Sequence, residues 1–309
     1  MATVRQYQAP IERISRPICT LCTSLSSRPY FSSMQVSWDS RLSSTTFNLS
    51  RSIIMGVITP TNKEVVDFKG LHLFHAGVSN CSMRVRLTLE EKKLPWTSHH
   101  VDLFKKENLT AEYFGINPKG LVPVLVDDGV VITESDVIID HLDQKFPIPS
   151  LRPTTDSGLE EMYRWMKLAV NNHIGAVKTY IYFHQVQGKM SQSDEQKAAY
   201  RKLQNNTELL DFHSQSNSEQ GFTQQDVDSA VGILNDCFSK AESILTNSDW
   251  LVDNKFSLAD ITWMPLHFTL VRADFSFDQY PAIEEWSARI SERDSFKKGV
   301  LEWWPGFGG

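Results

Sequence analysis

The chain of 309 residues has a formal net charge of −6 and is 41% hydrophobic, an ordinary globular composition with room for one large or two ordinary domains. No apolar run approaches the roughly 18–20 residues that cross a bilayer. The negative balance argues against nucleic acid or an anionic membrane as partner.

The charge is unevenly spread. Residues 1–55 hold six arginines and no lysine against Glu12 and Asp39, which makes the segment about +4 and leaves about −10 on the remainder. Arg-rich, Ser-rich and acid-poor composition, with the processing-like stretch RPYFSS, describes an organellar transit peptide, with the mitochondrion preferred over the plastid. The alternatives are a disordered leader or a start at Met34 or Met55. Cys19 and Cys22 form a C-x-x-C, but Pro17 lies just before them and no second pair exists, so neither a redox motif nor a zinc site is expected. Cys81 and Cys237 stand alone, as in a chain from a reducing compartment.

From Gly70 the pattern becomes regular. Leu71–Ala76 reads as a strand, followed by a helix over CSMRVRLTLEEKKL with apolar pairs at i, i+4 and charges in the gaps. Pro95–Leu103 reads as a second strand, TAEYFGI as a short helix, and NPKG as a turn. LVPVLVDDGVVI gives two strands joined at Asp127-Asp128-Gly129, a hairpin signal. Thr133–Phe146 reads as a helix, with Thr133 and Asp136 at capping-box spacing. This β-α-β-α-β-β-α order implies a small mixed sheet covered by helices. A thioredoxin-like domain is one arrangement that fits it.

A proline-bearing linker then leads into a chain that is helical to its end. Helices are expected over Leu159–Gln185, around Glu195–Leu210 within the polar stretch 188–221, and over Val227–Leu245. FSLADITWMPLHFTL opens with Ser257 and Asp260 at capping-box spacing and carries Pro265, a source of a kink, inside its helix.

Four motifs in this order resemble the soluble glutathione transferases. SNCSMRVRLTL is similar to the zeta-class Ser-x-Cys-x-x-Arg-Val-Arg pattern. NPKGLVPVL resembles the family's Asn-Pro-x-x-x-Val-Pro segment, ITESDVIIDHL its Glu/Gln-Ser helix start, and FSLADI the cap of its buried helix. The resemblance covers about residues 70–300 and is nearest the serine-type enzymes: zeta-class isomerases, hydroquinone dehalogenases and β-etherase-like proteins. It implies an α/β thioredoxin-like N-terminal domain (69–150) that binds glutathione, an all-α C-terminal substrate domain (155–309), and a homodimer.

The residues themselves state the chemistry required. A free thiol has a pKa near 8.5, so catalysis with glutathione needs the thiolate favoured. A helix N-terminus and a hydroxyl donor both do this, and Ser79, Cys81 and Ser82 all lie at such a turn. The resemblance ranks them. The two positions of a dithiol motif fall on Ser79 and Ser82, which favours Ser79 as hydrogen-bond donor to the glutathione thiolate. Cys81 is the alternative, a reactive thiol or else a small packing residue. Arg84 and Arg86 have the look of an anion site, but by resemblance Arg84 is expected to be structural, linking the two domains or the helix to its surroundings, and Arg86 is expected to be solvated.

By resemblance Asn80, Cys81, Asn108 and Lys119 flank glutathione, with Lys119 toward the glycyl carboxylate. Val122, before a cis Pro123, pairs its backbone with the cysteinyl unit, and Glu134 and Ser135 take the γ-glutamyl group at a helix N-terminus. A small electrophilic co-substrate is expected against the long helix, near Trp165, Asn172, His173 and Tyr180. Trp and Tyr at such positions are commonly core. His173 lacks ligand-spaced partners, so no metal is expected. Glutathione then serves as co-substrate in conjugation, thiolytic cleavage, dehalogenation or isomerisation. A non-catalytic binding protein of the same fold, using the polar insert for a partner, is a competing class, opposed by intact LVPVL, TES and Ser79.

Overall fold

The computed structural model describes residues 56–186 and 193–305. The leader 1–55 with its C-x-x-C pair, part of the polar insert (187–192) and the tail 306–309 lie outside the described residues.

Five strands, β1 (Val57–Ile58), β2 (Leu71–His75), β3 (Thr97–His100), β4 (Val124–Asp127) and β5 (Val130–Ile132), form one sheet in the order β1-β5-β4-β2-β3. Only β2 and β3 are parallel, and that pairing needs a crossover, supplied by α1 (Asn80–Glu91). In β2, Leu71, Leu73 and His75 are buried and alternate with half-buried His72 and Phe74. β4 is buried at every position because both faces of the sheet are covered. Leu125 joins the core shared with the helical half, while Val124 and Val126 join a smaller cluster with Val65, Tyr113 and Val131. The β4–β5 hairpin turns at Asp128 (φ 50) and Gly129 (φ 86), the two positive φ values of a type I′ turn. A side chain at Gly129 would also strike the Val66 backbone.

Two short or medium helices complete this half, α2 (Ala111–Phe114) and α3 (Ser135–Lys145). The rest is helical: α4 (Asp156–Asn171), a π-helical stretch (His173–Lys178), α5 (Thr179–Ile181), a second π-helical stretch (Tyr182–Val186), α6 (Asp194–Leu203), α7 (Thr207–Ser216), α8 (Gln224–Leu245), α9 (Leu258–Arg272), α10 (Pro281–Ser291) and α11 (Asp294–Gly299). Among the described residues no helix is long and apolar enough to cross a membrane.

Four expectations are corrected. The single helix over 159–185 is instead α4 followed by π-helical turns. The exposed helix around 195–210 is two helices, because Gln204 is buried with its Nε2 on the Lys119 carbonyl and Asn206 starts a new helix by accepting from Leu209 N. Thr133 does not cap α3; its hydroxyl donates to the Gly56 carbonyl, and Glu134 takes the cap position without a side-chain bond. Arg86, expected in solvent, is fully buried.

The fate of Arg86 follows from the position of α1. This helix is covered by α3, α9 and α11 and buries nine of its residues, Asn80, Ser82, Met83, Arg84, Val85, Arg86, Leu87, Thr88 and Leu89, so the charged gaps in its pattern face protein rather than water. Two later helices meet it: Arg84 Nε donates to the Thr262 carbonyl of α9 (3.0 Å), and Arg86 Nε to the Gly299 carbonyl of α11 (2.7 Å).

Candidate active site

The turn from β2 into α1 is held from three sides. Ser79 N donates to the Ala76 carbonyl (3.2 Å), and Ser82 Oγ accepts from Ala76 N (3.3 Å). The carbonyls of Ala76 and Gly77 point inward, where the Arg86 guanidinium meets them at 3.0 and 3.1 Å. Arg86 also donates to His75 Nδ1 (3.1 Å). That bond fixes the imidazole proton on Nε2, which faces Ser98 Oγ at 2.8 Å. Burial, then the Arg86 charge, holds His75 far below its ordinary pKa, so it stays neutral. Burial lowers Arg86 itself to about 9. The Trp303 ring covers the cation at 5.6 Å, and a side chain at Gly77 would run into the Trp303 backbone. Replacing Arg86 by methionine is therefore expected to leave the Gly77 and Gly299 carbonyls without this donor, while the Ala76 carbonyl keeps Ser79 N. Each such loss is worth roughly 1–3 kcal/mol, and thermal unfolding would register the change. An unchanged melting temperature would mean that those carbonyls find other donors.

Ser79 is the N-cap of α1, with extended backbone (φ −79°, ψ 115°). Its Oγ accepts from Ser82 N at 3.2 Å. An acceptor role leaves the hydroxyl proton unassigned, so capping does not consume the donor. Cys81 lies two residues on, half-buried. Its Sγ is 3.6 Å from His173 Nε2 and 3.9 Å from Arg84 Nη1. Asn80 is buried at the first position of the helix.

Arg84 has no exposed surface, and its Nη1 also donates to Ser135 Oγ (3.1 Å). Ser135 is thus an acceptor toward the protein in the same way as Ser79. It opens α3, beside Glu134, whose backbone (φ 68, ψ 114) is a conformation that costs a non-glycine residue about 1–3 kcal/mol. The Glu134 carboxylate pairs with Lys119 Nζ at 2.7 Å. The Val122–Pro123 peptide is cis. Asn108 donates to the Gly120 carbonyl (2.8 Å), bracing the turn that carries Lys119.

Of the residues expected to face a co-substrate, His173 reaches the site. Trp165 and Tyr180 do not: they are 2% and 7% exposed and belong to the core, Trp165 edge-on to Trp263 and Tyr180 against Phe275. Asn172 is half-buried and turns to the Leu168 carbonyl and Cys237 Sγ. Lys178, absent from the sequence reading, lies one π-turn beyond His173. Its signal, a lone lysine in an apolar run, is too weak to be read without knowing the π-helical geometry. Among the described residues no cluster of His, Cys, Asp and Glu is arranged to hold a metal.

Matches to two family models cover this architecture, the glutathione S-transferase N-terminal domain over residues 78–145 and the C-terminal domain over 170–294. Protein LigF of Sphingobium sp. is 30% identical over 239 residues, covering 74% of this chain and 92% of the relative. This chain belongs to the glutathione S-transferase family. The solved structure of the β-etherase LigF from Sphingobium sp. superposes with a TM-score of 0.68 at 29% identity, over 74% of this chain and 98% of that one. A probable maleylacetoacetate isomerase of Vibrio cholerae is 25% identical over 228 residues, 72% of this chain and 92% of the relative. This glutathione S-transferase thus has the thioredoxin-like sheet and all-helical second half that its sequence pattern implied.

Proposed function

We propose that this chain catalyses attack of the glutathione thiolate on a small electrophile, G–S⁻ + R–X giving G–S–R and X⁻. The observation that carries the reading is Ser79: its oxygen is engaged by the cap bond, so its proton is available to the ligand's sulfur. A donor aimed at developing or resting negative charge favours the thiolate, and the N-terminus of α1 adds to the same effect. Val122, beside the cis Pro123, offers backbone groups to the cysteinyl unit. Ser135 and the first N–H groups of α3 suit the γ-glutamyl carboxylate, and Glu134 its ammonium. Lys119 is half exposed and paired with Glu134, from which it can turn to the glycyl carboxylate.

Full-length similarity to LigF, whose solved structure is described as a β-etherase, makes thiolytic cleavage of an aryl ether the first reaction to assay, with aryloxide as the leaving X⁻. Dehalogenation, isomerisation and simple conjugation are the other arms. The protein should be retained on immobilised glutathione, and its melting temperature should rise with free glutathione. Saturation at 100 Kd corresponds to about 2.7 kcal/mol. Absence of both responses would sink the reading. A homodimer and an organelle-directed leader belong to the same proposal, tested by sedimentation and by sequencing the mature N-terminus.

A further inference from the structure

A π-helical turn reaches the site through His173, whose Nε2 lies 3.6 Å from Cys81 Sγ. Val177 N donates five residues back to the Asn172 carbonyl (3.2 Å), and Thr179 Oγ1 does the same to Ile174 (3.2 Å). π-Helical turns are rare and recur at functional sites. An i→i+5 turn brings residues five apart onto one face, and here those residues are His173 and Lys178.

Three basic groups belong to this face, and among the described residues none has a carboxylate within ion-pair distance. His173 Nε2 and Arg84 Nη1 both approach Cys81 Sγ, at 3.6 and 3.9 Å. Arg84 is wholly buried, yet its Nη2 has no hydrogen-bond partner, and His173 Nδ1 is buried and unpartnered as well. The Lys178 ammonium has only the face of the Phe212 ring, 5.6 Å away, and no acid within ion-pair distance among the described residues. Buried Lys92 and half-buried Lys119 are answered by contrast, by Asp143 and Glu134. The positive charge of Lys178 also bears on His173 and His213, lowering both after burial has done so. Burial lowers Lys178 too, opposed by the nearby Cys81 and by Glu208. Buried cations without counter-charges are costly unless the site is completed by an anion.

Glutathione's own carboxylates are provided for at Ser135 with the α3 N-terminus, where Arg84 uses Nη1 and not Nη2, and at Lys119. We propose that His173 and Lys178, with Arg84 beneath Cys81, form a cationic subsite for a carboxylate carried by the electrophilic co-substrate. This rests on the glutathione reading above and narrows it to carboxylate-bearing electrophiles. The neutral imidazole of His173 contributes a hydrogen-bond donor, and Lys178 supplies the charge.

Two product analogues test the subsite on the full chain by titration calorimetry, S-benzylglutathione and S-(4-carboxybenzyl)glutathione. The carboxylate form should bind about tenfold more tightly, the scale of one charge-assisted hydrogen bond. Lys178→Met should bring it level with the benzyl form while leaving benzyl binding unchanged, and Lys178→Arg should keep the preference. In turnover, Lys178→Met should raise KM for a carboxylate-bearing electrophile and spare kcat. Benzyl binding with no preference in the wild type, or a preference that survives Lys178→Met, overturns the subsite alone. If neither conjugate binds, the glutathione reading falls and the subsite with it.

Discussion

Replacing Ser79 by alanine is expected to lower kcat/KM with glutathione by about 10²–10³-fold, the usual loss when one preorganised donor to a reacting anion is removed. The same change deletes the N-cap of α1 and should cost about 1 kcal/mol of stability. The two effects separate with Ser79→Gly, because glycine keeps most of the capping stability but has no hydroxyl. Ser79→Gly should therefore be nearly as stable as the wild type and as inactive as Ser79→Ala. Cys81→Ala should stay within a few-fold of wild-type turnover, since the Cys81 thiol faces His173 and Arg84. The reverse pattern, an active Ser79→Gly and a dead Cys81→Ala, would move the chemistry to the protein's own thiol. Alkylation adds a check that does not depend on turnover. Cys237 is 3% exposed, and burial, its largest influence, raises its thiol to about 11, so of the two cysteines among the described residues a thiol reagent should mark Cys81 before Cys237.

Which parts of this site could be read from sequence depends on how local their causes are. The β2–α1 turn, the Asp128-Gly129 hairpin and the Ser257–Asp260 cap are made by residues within a few positions of each other, and each signals itself by residue type. Arg86 does not. Its partners are carbonyls 9, 10 and 213 residues away. No pattern of apolar and charged positions announces that a backbone turn will leave acceptors pointing inward. The same holds for His173 and Cys81, 92 residues apart, and for the π-turn that aligns Lys178, which helical periodicity smooths over. Resemblance points Trp165 toward the cleft, yet its apolar surface is satisfied by Trp263 in the core. Thr133 had the spacing of a cap but found the Gly56 carbonyl first.

Asp260→Ala should produce the largest loss of stability among these substitutions. Asp260 has no exposed surface, and four donors converge on its two oxygens. Oδ1 accepts from Leu251 N (3.0 Å) and Trp286 Nε1 (2.9 Å), while Oδ2 accepts from Ser257 N (2.9 Å) and Ser257 Oγ (3.1 Å). Burial pushes its carboxyl pKa up, and these four bonds pull the other way. Alanine would strand the donors, at roughly 1–3 kcal/mol for each one left without a partner. A loss on the order of 4 kcal/mol or more is expected, a fall in Tm of about 10 °C for a domain of this size. Asparagine should recover little, because its NH₂ would face two donors. Trp286→Phe, which removes one donor and leaves the carboxylate with three, should cost far less. The consequence extends beyond stability. Asp260 fixes the start of α9, and two residues later the Thr262 carbonyl holds Arg84, which in turn holds Ser135. Asp260→Ala should therefore also weaken glutathione binding at temperatures where the chain remains folded, whereas a cap that served stability alone would leave that affinity unchanged. A Tm drop of only a degree or two, or an unaltered Kd for glutathione below the transition, would break this line from the α9 cap to the ligand's γ-glutamyl end.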